Sequence, residues 1–178
     1  MVWPKQLINC IARNRSVLFL GAGISMNSTD DHGTHPKDWK NFLTYGLSRI
    51  TNNNKRTIKK EIEKQNYLLA CELLKKSLGD NEFIELLKDE FERPHFHEAE
   101  IHKDIFKLNQ RIVITPNFDK IYDSYATHES NGTIHIKKYD EEADIADGLR
   151  RHDMLIIKMH GTIAVSYTHL TLPTTPYV

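Results

Sequence analysis

Ser16-Val17-Leu18-Phe19-Leu20 runs directly into Gly21-Ala22-Gly23-Ile24-Ser25, and the reading of this junction decides the fold. Five largely apolar residues with β-branched and aromatic members read as a buried parallel strand. Glycines placed directly after such a strand let the backbone turn tightly and approach a bound group closely. Before the strand, Leu7, Ile8, Ile11 and Ala12 recur at helical spacing, which predicts a helix from residue 4 to about 14. After it, the segment to Pro36 is rich in Gly, Ser, Asn, Asp and Thr and reads as a long loop.

Further along the chain, helical patterns dominate. Trp39, Phe42, Leu43, Leu47 and Ile50 share one face of a helix that starts near Lys37. Residues 55–107 carry successive helical patterns, punctuated by Ser77-Leu78-Gly79-Asp80 and Arg93-Pro94-His95, with no strand among them. Strand and helix then alternate. Arg111-Ile112-Val113-Ile114 reads as a strand stopped by Thr115-Pro116, residues 118–126 as a helix, 133–136 as a strand, 141–149 as a helix and Met154-Leu155-Ile156-Ile157 as a strand. The pattern predicts an α/β fold: a Rossmann-type parallel sheet with a helical insertion at about 55–107 between its first two strands.

Composition bounds the partners. The 178 residues are 39% hydrophobic and 27% charged, as expected of one globular domain. Lys and Arg number 24, as do Asp and Glu, so no net charge draws the chain to nucleic acid or anionic lipid. The basic run Lys55-Arg56 with Lys59-Lys60 is followed by Glu61 and Glu63 and reads as a solvated helix face. No apolar run reaches the length of a membrane span, and the expected setting is cytoplasmic. Cys10 and Cys71 are far apart in helical patterns, offering neither a disulfide framework nor paired zinc ligands; both read as buried thiols. The last 14 residues, Val165 to Val178, lack Asp, Glu, Lys and Arg, and Val165-Ser166-Tyr167-Thr168-His169-Leu170 resembles a translated sequencing adapter. The expected domain is therefore residues 1–164, with 165–178 a non-native tail and the sheet incomplete at that end.

Three segments carry chemistry. The first is Gly21-Ala22-Gly23-Ile24-Ser25, whose backbone N–H groups and Ser25 hydroxyl are donors suited to an anion. Glycine pairs also make plain turns, and Met26 occupies the third position of the full G-x-G-x-x-G pattern, which disfavours an ordinary hydride-transfer dehydrogenase. The second is Thr115-Pro116-Asn117-Phe118-Asp119, at the carboxyl end of a parallel strand, where Asn117 or Asp119 would equally serve as a helix cap. The third is Lys158-Met159-His160-Gly161, again at a strand end. Three polar turns at strand ends point to one edge of one sheet.

Taken together, Gly-Ala-Gly-Ile-Ser, Thr-x-Asn-x-Asp and Lys-Met-His-Gly resemble the silent-information-regulator (sirtuin) family, and more closely its bacterial branch of NAD-consuming domains. Gly33-Thr34-His35-Pro36-Lys37-Asp38-Trp39 adds to the likeness, which covers about residues 15–164. The resemblance implies that Gly21, Ala22, Gly23, Ile24 and Ser25 hold the phosphates of NAD, and that Thr115, Asn117 and Asp119 hold the nicotinamide and its ribose. It further implies that His160 meets the ribose hydroxyls as base or polariser, leaving Asn117 and His160 as the catalytic pair. Three departures put protein deacylation in doubt: Pro116 stands where deacylases carry Gln, the stretch after Ser25 lacks their Gly-x-Pro-Asp-Phe-Arg, and the four zinc cysteines are missing.

The expected activity is an NAD glycohydrolase yielding nicotinamide and ADP-ribose, similar to effectors of bacterial anti-phage defence, with NAD as substrate and no zinc. A module that binds NAD or ADP-ribose without turnover is the alternative, and NAD-dependent deacylation a more distant one. A missing C-terminal domain or a partner regulator is expected. The sequence leaves the activating signal and the oligomeric state open, a homo-oligomer included.

Overall fold

The computed structural model describes residues 3–51 and 53–159. Its contacts divide the chain into two compact units, one formed by the residues up to Ser28 and from His97 onward, the other by Thr29–Phe96.

The first unit is built on β1 (Val17–Phe19), β2 (Ile112–Thr115), β3 (Ile134–Lys138) and β4 (Met154–Lys158). All pairings are parallel and the strand order is β1-β2-β4-β3. The chain has a Rossmann-like α/β fold, as the alternation of strand and helix after residue 111 predicts. Its helices are α1 (Lys5–Ala12), α2 (Ala22–Ser25), α7 (Glu100–Lys107), α8 (Ile121–Glu129) and α9 (Glu142–Arg151).

Register divides the sheet into two faces. Val113 of β2 and Ile156 of β4 are partners, and with Leu20, Ile134, Tyr122 and Ala126 they form the buried core. Ile105 and Phe106 of α7 pack against this core, as does Ile24 of α2. On the opposite face Leu155 lies under α9, where a Cβ on Gly148 would stand 3.0 Å from a Leu155 methyl. That close approach explains a glycine in mid-helix.

One expectation about β1 holds for a single face. Leu20 is buried, but Val17 is 53% and Phe19 63% exposed. Among the described residues β1 is an edge strand, and a parallel strand is apolar on both faces only where both are covered. Cys10, expected to be buried, is exposed on α1, a helix with no buried residue.

The second unit comprises α3 (Trp39–Ser48), α4 (Lys55–Glu63), α5 (Tyr67–Leu78) and α6 (Asp80–Phe91). Asp38 caps α3, its carboxylate accepting the Asn41 N–H at 2.7 Å. Phe42, Leu43, Ile58, Leu74, Phe83, Leu86 and Leu87 are each at most 1% exposed. Gly79, at φ +81°, makes the sharp junction between α5 and α6. The helical segment expected over 55–107 therefore divides at Phe96. The unit begins earlier, taking in α3, while α7 gives its apolar side chains to the sheet.

No helix among the described residues is long and apolar enough to cross a membrane.

Candidate functional site

The carboxyl ends of β1, β2 and β4 bring the glycine loop, the Asn117 to Asp119 turn and Lys158 together. Thr115, the last residue of β2, fixes the first junction. Its hydroxyl donates to the Leu20 carbonyl at 2.7 Å and accepts the Asn117 N–H at 3.1 Å. Asn117 then reaches across to the loop, its Nδ2 donating to the Gly21 carbonyl at 3.1 Å and to Ser25 Oγ at 3.0 Å. A carbonyl can only accept, so this contact fixes the amide orientation and leaves Asn117 Oδ1 as the atom offered to a ligand.

Ser25 is 5% exposed and donates to Asp119 Oδ2 at 2.7 Å. A hydroxyl has one proton. The expected role of Ser25 as a phosphate donor is therefore corrected: its proton is committed to Asp119, and toward an anion the loop offers backbone N–H groups. The other carboxylate oxygen, Asp119 Oδ1, accepts the Ile121 N–H at 3.1 Å at the start of α8. Asp119 thus performs the capping role open to it in sequence and also anchors Ser25. This is why α8 begins at Ile121 rather than at 118.

Gly21 and Gly23 need no unusual backbone. Gly21 sits at φ −85°, ψ 179°, and Gly23 lies inside α2 with no positive φ. No described atom lies within 4 Å of where a Cβ would stand on either. Side chains would fit both positions without strain or collision, so the surrounding chain supplies no reason for glycine. The space above the loop is open to something else.

A cleft of about 240 Å³, open mouth included, adjoins the loop. It is lined by Leu20 and Ile24, by Ser25, Thr115, Asn117 and Asp119, and by Tyr122, Asp123 and Lys158. Ile24 thus serves both as wall and as core contact. His160 and Gly161 lie outside the described residues. Among the described residues, no cluster of three or more His, Cys, Asp or Glu is placed to hold a metal ion.

The chain matches no protein-family model, and no curated protein matches it. The site must therefore be read from its own geometry.

Three residues of the cleft escaped the sequence reading. Lys158 is 1% exposed; its ammonium donates to the Asp119 backbone carbonyl at 2.6 Å and pairs with Asp123 Oδ2 at 2.9 Å. Burial pushes the Asp123 carboxyl above the usual aspartate range, against the opposing charge of Lys158. Burial likewise pushes the Tyr122 hydroxyl up to about 12, with the charge of Asp123 adding to it. A signal for Lys158 was present in the sequence. It sits two and four residues beyond Ile156 and Met154, on the core face of an apolar strand, where a lysine requires a buried partner.

Behind Tyr122 lies His102, stacked on it with ring centroids 6.4 Å apart. His102 is fully buried, its Nδ1 accepts the Ala99 N–H at 3.1 Å, and its Nε2 has no partner among the described residues. Burial lowers its pKa, which the charges of Asp119 and Glu98 partly oppose.

Proposed function

We propose that this cleft binds NAD and that the protein hydrolyses the bond between nicotinamide and ribose, as an effector in antiviral defence. The observation that carries the reading is the pair Gly21 and Gly23. Both are conformationally ordinary, both are open above, and both lie beside a cleft of convergent polar groups at the carboxyl edge of a parallel sheet. Such edges are where open α/β sheets bind ligands, and glycines there let a pyrophosphate lie against the backbone.

The chemistry follows from the groups present. Cleavage passes through an oxocarbenium-like state, water adds to the ribose carbon, nicotinamide leaves with the bond's electron pair, and one proton is released. Asn117, held by two hydrogen bonds with Oδ1 outward, accepts from the attacking water or a ribose hydroxyl. The resemblance assigns proton removal to His160, and general-base help of this kind is worth roughly 10²–10⁴ in rate. The buried carboxylate of Asp119 sets a negative field beside a site where positive charge develops.

Incubating the protein with NAD and measuring free nicotinamide tests the reading. Release that disappears in both Asn117→Ala and His160→Ala, with thermal unfolding unchanged, is expected. NAD binding without release would make the protein a sensor, and absence of binding by calorimetry would overturn the assignment.

A further inference from the structure

Lys158 has no part in the hydrolysis just described, yet it is the most deeply buried charged side chain of the cleft. Burying an ammonium is costly, and exchanging a buried ion pair for apolar side chains of similar size is often neutral or stabilising. Stability alone therefore gives little reason for Lys158 and Asp123. What an apolar residue could not do is hold a carbonyl. The carbonyl that Lys158 holds belongs to Asp119.

From there one continuous set of bonds reaches the ligand side of the cleft. Asp123 of α8 fixes the ammonium, the ammonium fixes the Asp119 main chain, and the Asp119 carboxylate takes the Ser25 proton. Ser25 Oγ then accepts one Asn117 proton, while the Gly21 carbonyl takes another. The turn between β2 and α8 contains no regular secondary structure of its own. Its conformation depends on such side-chain ties.

We infer that Lys158 is a positioning residue of this cleft: by holding the Asp119 carbonyl from β4 it sets the Asn117 to Asp119 turn, and through Ser25 it aims the Asn117 amide at the ligand. The inference rests on the proposed reading of the cleft as the ligand site. It adds a strand-end lysine and its helix partner to the residues on which that site depends. Neither touches the ligand in this account.

Lys158→Met alone leaves Asp123 buried without its counter-charge and risks the fold, so the informative protein is the 178-residue chain carrying Lys158→Met together with Asp123→Asn. Two measurements read it. The first is exchange of the Asn117 side-chain amide protons with water by ¹⁵N NMR, without any ligand. Both protons are hydrogen-bonded in the wild type and should exchange slowly. In the double variant they should exchange at close to solvent rates while the resonances of β2 and β4 stay dispersed. The second is nicotinamide release, which should fall about 10²-fold, mainly in kcat, as expected for a reacting group displaced by an ångström or so. A double variant with protected Asn117 protons and unchanged kcat overturns the inference. So does one that fails to fold, since the lysine would then support the whole domain rather than the turn. A wild-type protein that releases no nicotinamide counts against the hydrolase reading, while Asn117 exchange still reports on Lys158.

Discussion

Ser25 Oγ lies 2.7 Å from Asp119 Oδ2 and gives it the only proton the hydroxyl has. This bond joins the glycine loop after β1 to the turn after β2. It makes Ser25 part of the support of Asn117 rather than a ligand for phosphate.

Ser25→Ala should therefore lower kcat more than it raises KM for NAD. The substitution removes an acceptor of the Asn117 amide and leaves Asp119 Oδ2 without its donor, which costs on the order of 1–3 kcal/mol of stability when the oxygen is buried. Steady-state kinetics and a thermal melt check both parts. An increase confined to KM would restore the phosphate role.

Gly23→Ala separates ligand approach from folding. Because Gly23 is helical and open above, alanine should leave unfolding unchanged or raise stability by up to about 1 kcal/mol. The added methyl should nevertheless weaken NAD binding, measured by calorimetry, because it occupies the open space over the loop. Unaltered affinity would place the dinucleotide elsewhere.

His102 should make the sheet unit sensitive to acid. Its pKa is lowered in the folded protein from 6.5, so the unfolded chain binds more protons in that range. Its contribution to stability is present above about pH 6.5 and is lost as pH falls through the lower folded value. His102→Gln keeps an acceptor for the Ala99 N–H without a titrating ring. Melting temperature plotted against pH should fall less steeply below 6.5 in this variant, and parallel curves would remove His102 as the cause.

The two cysteines should differ sharply in reactivity. Burial pushes the Cys71 thiol up to about 12, whereas Cys10 is exposed on α1. Since the thiolate is the reactive form, a chromogenic disulfide reagent should label one thiol in the native protein and two after denaturation. Cys10→Ala should abolish the native signal, and rapid labelling of both native thiols would contradict the burial of Cys71.

The sequence by itself determined the class of fold and the segments that build the cleft. Strand-length apolar runs such as 111–114 and 154–157, separated by a helix-period stretch, allow few arrangements other than parallel strands with helical crossovers. A polar turn at a strand's carboxyl end is local information, which is why Gly21, Asn117 and Asp119 were readable. What each polar atom does was decided only by tertiary structure. Ser25 and Asp119 are 94 residues apart, and Lys158 and Asp119 are 39 apart. No local pattern says whether a hydroxyl will face a ligand or a carboxylate brought in from another strand. The same holds for β1, whose apolar residues looked buried in sequence, while their exposure depends on what the fold lays over each face. Local chemistry named the participants, and long-range register assigned their protons, because a hydrogen bond depends on positions that only the packed sheet fixes.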